Sequence, residues 1–305
     1  MSQMSPIESR CYIPSEPPRH FVLVAKFNPP SLDARELFLL DEVTPRLDSL
    51  KRKGVISRWA FLFEQNIEIF VKVRRFIDAA ALEVELEKIF DEKVVSTYDL
   101  RWEARSQIRP LQVHRYGDLT GIRTMDLFLW QASKMARRLW ELTEVAEPLE
   151  LGLASIFFLL DTLEVPDSSK FDAMNDWIDD LASIRNTGRD ILQPDPAYGE
   201  RVRSAFETMK LNAPLESLVQ KLVAHGWRAT PTPDIKDVLL QYERQMRVIG
   251  RLLTRQKTEA RFPVMFPWRR AIFCNYIHFH LFNIGSFGTK ELYLYWLIVS
   301  AKDKR

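Results

Sequence analysis

The hydrophobic pattern of this 305-residue chain changes its period at about residue 120. Before that point, short runs rich in β-branched and aromatic residues are typical of strands, such as HFVLVAKF at 20–27 and NIEIFVKVRRF at 66–76. After it, apolar residues recur at helical spacing and no segment predicts a strand. Such a chain buries its apolar surface by packing helices on a sheet. We therefore predict an α+β fold, with a small, mixed N-terminal sheet and its helices followed by a mostly helical body.

We expect one folded unit over residues 20–305, with the sheet layer at 20–120 and the helical body at 121–305. Residues 1–19 are rich in Pro, Ser and Glu and lack periodicity, which predicts a flexible arm. Pro45 is expected to kink or split the first helix. The sheet layer is predicted to run strand, helix, strand, strand, helix, strand at 20–27, 31–54, 57–65, 66–76, 78–92 and 107–117. The helices predicted in the body lie at 124–144, 149–162, 170–184, 198–225, 234–258, 267–283 and 289–302.

Composition excludes several classes of function. Forty-three basic and 41 acidic residues leave a net charge of +2, which is not the concentrated basic field of a nucleic-acid binder. The two cysteines, Cys11 and Cys274, lie far apart and predict neither a disulfide framework nor a metal site. The glycines are scattered singly, so no phosphate-binding loop and no nucleotide cofactor is indicated. Apolar runs are too short to cross a bilayer. We expect a cytoplasmic protein without cofactor, nucleic acid or membrane partner.

The segment CNYIHFHLFNIG, residues 274–285, places polar side chains where a core helix favours leucine. On a helix, Tyr276, His280 and Asn283 share one face, and His278 projects from another. Each of them needs a partner or a cavity if it is buried. Two interpretations remain open from the pattern alone: these are structural groups with satisfied hydrogen bonds, or they form a site that moves protons.

Two further segments combine charge with apolar residues. VHRYGD, at 113–118, carries Arg115 and Tyr116 before a turn glycine, and it is explained either by an ion pair and a turn or by a binding role. The predicted hairpin alternates so that Phe70 and Lys72 share one face. Lys72 either points into a cleft or extends to solvent. The opposite face is predicted to carry Phe61, Phe63, Ile69, Val71 and Val73.

In this order, three segments resemble the thiopeptide-type bacteriocin biosynthesis domain, which also forms the C-terminal elimination module of class I lanthipeptide dehydratases. They are GVISRWAFLFEQNIEIFVKVRR at 54–75, LQVHRYGDLTGIRTMDLFLWQASKMA at 111–136 and NYIHFHLFNIG at 275–285. The resemblance implies the fold of those elimination domains. Elimination members carry two arginines in the hairpin, an Arg-Tyr-Gly-Gly turn and a helical His-Met-x-x-Asn-Arg run, around a site that removes glutamate from glutamylated Ser or Thr.

The chain keeps part of that pattern and departs from the rest. Arg115 and Tyr116 match the turn, and His278 matches the first histidine of the helical run. Phe70 and Lys72 stand where the hairpin arginines belong, and Phe282 and Asn283 stand where the run ends in Asn-Arg. A glutamate leaving group requires bidentate cationic recognition, which phenylalanine cannot supply. The sequence is therefore most similar to the stand-alone pyridine synthases of the same family.

That resemblance implies a formal [4+2] aza-cycloaddition between two dehydroalanines of an azole-containing ribosomal peptide, with loss of water and of the leader peptide. Positioning the two alkenes and moving protons suffice for it. Tyr276, His278 and His280 are the candidates for proton transfer, and Arg115 and Tyr116 for orienting amide oxygens. Other candidates for substrate binding are Lys72, Ser133, Phe70 and Asn283, with Trp59, Phe63 and Phe70 either stacking on azoles or packing in the core.

Two alternatives remain open. A stand-alone glutamate-elimination lyase requires Lys72 and Arg115 to replace the missing arginines. A non-catalytic scaffold that binds peptides requires the histidine-containing helix to be structural only. In each case the expected partner is a ribosomal precursor peptide, whose leader we expect at a sheet edge or in a groove beside it, because strand addition binds extended chain.

Overall fold

The computed structural model describes residues 22–27, 38–63, 67–73, 102–105, 119–142, 147–187, 196–208, 213–258, 272–286 and 288–303. The described strands are β1 (Val22–Phe27), β2 (Ile56–Phe63), β3 (Ile67–Val73) and β4 (Trp102–Arg105). The described α-helices are α1 (Thr44–Arg52), α2 (Leu119–Trp140), α3 (Pro148–Thr162), α4 (Asp167–Thr187), α5 (Pro196–Glu207), α6 (Ala213–His225), α7 (Pro233–Thr258), α8 (His278–Asn283) and α9 (Thr289–Asp303). π-helical turns at Phe38–Val43 and Phe273–Ile277 lead into α1 and α8.

The four described strands form one sheet in the order β2-β3-β1-β4. Every described pairing is antiparallel, whereas the sequence analysis expected a mixed sheet. The short connection between β2 and β3 accounts for one of these pairings, because a parallel crossover needs a dozen or more residues. The α+β class is confirmed: the strands precede a body built from helices, and only α1 among the described helices lies between them in sequence.

Both faces of the hairpin of β2 and β3 are buried. Alternation places Phe61, Ile69 and Val71 on one face and Phe70 on the other, as predicted, while the side chains of Phe63 and Val73 lie outside the described ones. Phe61 pairs with Ile69 across the strands, and both belong to a cluster that includes Phe38 and Leu47 from the segment around α1. Phe70 points to the opposite face, into the larger core that α2 and the helical body share. Because each face has its own apolar cover, a one-residue slip of β2 against β3 would exchange the two sets.

The free edge of β2 lies against helices α2 and α8. At Phe61, the main-chain N–H donates to Ser133 Oγ at 2.9 Å, and the carbonyl accepts from Ser133 Oγ at 3.0 Å and from Asn283 Nδ2 at 3.1 Å. These side chains occupy the main-chain groups that another strand would need. Strand addition is therefore blocked at this point of the edge.

The helical body is centred on α3, which is apolar on all sides. Most of its residues from Glu150 to Thr162 are buried, and it packs against α6, α7 and α9. A helix that is hydrophobic all round belongs in the core of a body of this size. None of the described helices combines the length and apolar character needed to span a membrane.

Several predicted boundaries change in the structure. The helix predicted at 198–225 is two helices, α5 and α6, and Pro214 stands in the first turn of the second, where its missing N–H costs least. Pro45 likewise stands at the start of α1, after the π-helical turn. Strand β4 was not predicted. The predicted arm at 1–19, the helix at 78–92 and the strand at 107–117 lie outside the described residues.

Candidate functional site

The histidine-containing segment faces four neighbours: α2, the sheet, α4 and α9. Residues 272–277 are all buried, and the π-helical turn that precedes α8 inserts an extra residue into the helical repeat. Turns of this kind are frequent at functional sites because they redirect side chains. Tyr276 and Asn283 face α2 and the sheet, whereas His278 faces α4 and α9. As predicted, His278 lies on a different face from Asn283.

His278 pairs with a carboxylate that the sequence analysis did not single out. Its Nδ1 lies 2.8 Å from Oε2 of Glu291 at the start of α9. The Glu291 side chain is fully buried, while 16% of the His278 side chain remains exposed. The imidazole is therefore the part of this pair that another molecule can reach. When Glu291 is ionised, Nδ1 carries the proton and donates to it, which leaves Nε2 as a proton acceptor.

The negative charge of the buried Glu291 is stabilised by its position in the helix and by its neighbours. It lies in the first turn of α9, where the helix dipole stabilises negative charge. Its Oε1 accepts a hydrogen bond from Trp177 Nε1 in α4 at 3.4 Å. Burial, together with the nearby charge of Glu291, raises the pKa of Tyr295 well above its ordinary value. Tyr295 therefore stays a neutral phenol beside the carboxylate.

Aromatic rings surround the accessible imidazole. Trp177 meets His278 edge to face at 5.7 Å between ring centroids, and Phe282 does so at 4.6 Å. Phe279 lies at 6.0 Å. Apolar walls of this kind exclude water and strengthen electrostatic interactions within them. The pair of His278 and Glu291 can thus accept, hold and return a proton next to an apolar surface.

His280 occupies the opposite kind of environment. Its side chain has no exposed surface, and neither ring nitrogen has a hydrogen-bond partner among the described residues. Burial lowers the pKa of His280 to about 3. The ring is therefore neutral near pH 7, and a bound peptide cannot reach it in this arrangement.

Three other predicted residues serve contacts within the protein. Tyr276 is buried and packs edge to face on Phe128 of α2, at 4.8 Å between centroids. Ser133 and Asn283 are buried and hold the main chain of Phe61. The three predicted proton-transfer residues do not converge on one cavity, because Tyr276 faces α2 while His278 faces α4 and α9.

The hairpin positions discussed for substrate binding also differ from each other. Phe70 is 7% exposed and belongs to the main core. Lys72 is partly buried, and its pKa is lowered, first by burial and then by Arg58 and Arg123, while Asp126 acts in the opposite direction. Lys72 therefore belongs to a group of cations at the N-terminal end of α2.

An open groove lies beside this group, between α1, β2 and α2. Its volume is about 660 Å³, and Trp59 and Trp130 are among the residues that line it. Trp59 contributes to this wall rather than to the surroundings of His278. Arg115 and Tyr116 lie outside the described residues.

Sequence reasoning missed Glu291, Trp177 and the groove. In the sequence, Glu291 precedes an apolar run and resembles any acidic residue at the start of a helix, and Trp177 resembles an ordinary core residue. Only the packing of α4, α8 and α9 brings them to His278. Among the described residues, no group of His, Cys, Asp and Glu side chains is arranged to hold a metal ion.

Comparison with known proteins gives matches over nearly the whole chain. Residues 26–301 match the family described as lantibiotic biosynthesis dehydratase C-terminal domains. The structure is similar to MibB, a tRNA-dependent lantibiotic dehydratase from Microbispora sp. 107891, with a TM-score of 0.64 and 20% identity. That match covers 96% of this chain and 29% of MibB, so the chain spans less than a third of that protein's length.

Two smaller proteins match along most of their length. TsrL gives a TM-score of 0.58 at 13% identity, covering 92% of this chain and 94% of TsrL. TbtD, the pyridine synthase from thiomuracin biosynthesis, gives a TM-score of 0.57 at 13% identity, and the match covers 93% of this chain and 98% of TbtD. At these identities the likeness establishes a common fold. Among curated proteins, none matches this chain.

Proposed function

Because this chain belongs to the family of lantibiotic biosynthesis dehydratase C-terminal domains, as its sequence resemblance predicted, we propose that it acts on a ribosomal precursor peptide as a pyridine synthase. The proposed reaction is a formal [4+2] aza-cycloaddition between two dehydroalanines of an azole-containing peptide, followed by loss of water and of the leader peptide. The proposed setting is the cytoplasm, where precursor peptides are made.

The pair of His278 and Glu291 is the observation that carries this proposal. One backbone amide must become its iminol tautomer to serve as the azadiene, so its N–H proton has to leave and its oxygen has to gain one. Nε2 of His278 accepts the first proton, and the resulting imidazolium is stabilised by Glu291 at 2.8 Å. The imidazolium then supplies the proton to the amide oxygen.

The later steps use the same group. After the new ring closes, the iminol hydroxyl leaves as water and the leader leaves as an amide, each with its own bonding electron pair. Each departure is accompanied by loss of a ring C–H proton, and the electron pair of that C–H bond forms a ring double bond, which completes the aromatic pyridine. A protonated imidazole assists the departure of the hydroxyl, and no external oxidant is required. Positioning of the two alkenes supplies up to roughly 7–11 kcal/mol of the barrier in reactions of this type.

The hairpin supports cycloaddition over glutamate elimination. Elimination requires a cation that recognises the leaving carboxylate, and at one of the two hairpin positions this chain buries Phe70 in the apolar core. The fold alone does not decide between the two reactions, because both the dehydratase MibB and the pyridine synthase TbtD share it.

Elimination remains the second candidate, because Lys72 retains positive neighbours. Arg58 and Arg123 both lie near enough to lower its pKa, and together these groups make a local positive field. A glutamylated Ser or Thr peptide tests this candidate directly. Release of glutamate, with no cyclised product from the dehydroalanine peptide, would replace the proposed function with elimination.

The decisive experiment incubates the protein with a leader-linked peptide that contains thiazoles and two dehydroalanines. Mass spectrometry is expected to detect a product lighter by water and the leader amide. His278→Gln keeps a polar side chain but removes the imidazole, and we expect kcat to fall by about 10²–10⁴-fold, with peptide affinity unchanged. Glu291→Gln should also lower kcat, because a neutral amide stabilises the imidazolium less than a carboxylate does.

His225→Gln is the matched control, because His225 is exposed in the last turn of α6. It should cyclise the peptide at the wild-type rate. Circular dichroism and thermal unfolding establish that each variant is folded. Full turnover by folded His278→Gln protein would contradict the assigned role of the pair.

A further inference from the structure

The groove between α1, β2 and α2 concentrates positive charge around one tryptophan. Lys51, Arg58 and Lys134 place their charged groups 5.6, 5.7 and 5.3 Å from the centroid of the Trp130 ring. Each distance lies within the range of a cation–π contact. Three cations on one ring repel one another, so the ring alone does not account for their convergence.

A second tryptophan extends the same surface. Trp59 donates its indole N–H to Asp48 Oδ1 at 2.8 Å, and the Arg137 guanidinium lies 4.6 Å from its ring centroid. Arg137 also approaches Asp48 Oδ2 at 3.5 Å. Trp59 is only 4% exposed, so Trp130 is the aromatic ring that the groove presents, and cations border both tryptophans.

Charge in the groove is not balanced by the protein itself. Asp48 is the only carboxylate that lines it among the described residues, and Trp59 and Arg137 already occupy its oxygens. Lys51 and Lys134 have no ion-pair partner within the described part of the chain. Burial lowers the pKa of Lys134, and Lys51 and Arg137 lower it further against the opposing effect of Asp48. A negatively charged ligand would relieve this repulsion.

We propose that this groove binds an acidic segment of the peptide substrate that also carries apolar side chains. Carboxylates would meet the cations around Trp130, and apolar side chains would lie against the exposed part of the Trp130 ring. Recognition by side chains replaces strand addition here, because Ser133 and Asn283 block the edge of β2 at Phe61. Naming the substrate as occupant rests on the proposed function, whereas binding itself does not require turnover.

A peptide fits these observations better than RNA does. The whole chain has a net charge of only +2, while nucleic-acid binding depends on a positive field that extends along a phosphate backbone. The cations described here are confined to one groove of about 660 Å³ that contains a carboxylate. Asp48 repels any anion beside it, but a short acidic segment can place its few charges at Trp130, whereas a continuous phosphate backbone would also pass Asp48.

Fluorescence anisotropy with a labelled peptide in which glutamates alternate with leucines tests the proposal. The wild-type protein is expected to bind it more tightly than the same peptide with glutamines, and added salt should weaken the binding. Lys51→Glu and Lys134→Glu should each weaken binding by about tenfold or more. Asp48→Asn, which keeps an acceptor for Trp59, should strengthen it. Lys221→Glu is the control, because Lys221 is exposed on α6, which packs on α3 and α9.

Three results would overturn the proposal: equal affinity for the glutamine peptide, wild-type affinity of folded Lys134→Glu protein, or displacement of the peptide by oligouridylate at a lower concentration than by unlabelled peptide. The last result would identify an RNA site. In the cyclisation assay, Lys134→Glu should raise KM with kcat unchanged. Binding of the acidic peptide without any cyclisation would leave the groove assigned and reject the proposed function.

Discussion

His278 and His280 stand two positions apart, yet packing gives them opposite chemistry. His278 keeps exposed surface and a carboxylate partner, whereas His280 has neither. Sequence reasoning separated the two faces correctly, because helical geometry fixes which residues project together. It could not tell which face would meet a buried carboxylate and which would meet only apolar atoms, since that depends on helices distant in the sequence.

The burial of His280 makes stability depend on pH. The pKa of its ring is about 3 in the folded protein, against an ordinary value of 6.5. The unfolded chain thus binds a proton between these values and the folded protein does not. The associated stability is complete above the unfolded pKa and is lost as pH falls toward the folded pKa. Between about pH 7 and about pH 5, this one group should lower the free energy of unfolding by about 2 kcal/mol.

Urea unfolding of His280→Phe protein checks this expectation. Phenylalanine has a similar shape and does not titrate, so the variant should lose about 2 kcal/mol less than wild type over that pH interval. The measured quantity is the change in the free energy of unfolding with pH, so any constant effect of the substitution on packing cancels when the two proteins are compared. If the free energy of unfolding changes equally with pH in both proteins, the folded protein accepts a proton on His280 and the lowered pKa is contradicted.

At the scale of elements, the edge of β2 is joined to two helices through one residue. Ser133 gives Phe61 both an acceptor and a donor, and Asn283 adds a second donor. Both residues were predicted to bind substrate, and the resemblance that named them did not indicate that α2 and α8 flank the sheet. Their hydrogen bonds fix the position of α8, and hence of His278, relative to the sheet.

Removing the Ser133 hydroxyl should therefore reduce stability. Ser133→Ala leaves the buried N–H of Phe61 without its acceptor, and we expect the free energy of unfolding to fall by about 1–3 kcal/mol. Ser204→Ala, at an exposed position of α5, should change it by less than about 0.5 kcal/mol. Chemical denaturation measures both. Unchanged stability with weakened peptide binding would restore Ser133 to the role of a substrate contact.

Element prediction succeeded where a local pattern determines the outcome. The strands β1, β2 and β3 and the helices α3, α7 and α9 were predicted to within a few residues, because their periodicity is continuous. The division of 198–225 was missed, although Pro214 marks the start of the second helix. Strand β4 was missed because four residues, Trp102–Arg105, are too few to display an alternating pattern, and among the described strands they pair with β1 alone.

For the whole molecule, close helix packing sets limits that no single element reveals. α7 crosses α3 at Gly250, where an added Cβ would overlap the carbonyl oxygen of Thr162 and lie 3.0 Å from Cα of Leu163. α3 approaches α9 at Gly152, where an added Cβ would meet mainly the Leu294 side chain. The main chain cannot rotate away from an added methyl group as a side chain can, so substitution should destabilise the protein more at Gly250 than at Gly152.

Gly250→Ala is expected to lower the free energy of unfolding by about 1–3 kcal/mol, the usual range for overpacking. Gly152→Ala should lower the free energy of unfolding by less, because the Leu294 side chain can adopt another rotamer. Thermal and urea unfolding of the two variants provide the measurement. A larger loss for Gly152→Ala would show that the contact of α3 with α9 is the more rigid one.

The hydrogen bond between Phe61 and Asn283 joins residues that are made at widely separated times during translation. The two residues are separated by 222 positions. A ribosome adding roughly 5–20 residues per second needs roughly 10–45 s to travel that distance. Ser133 is made earlier and can already donate to the Phe61 carbonyl, but its second donor, Asn283, arrives only with α8, so this edge of the sheet is completed among the last parts of the chain to be made.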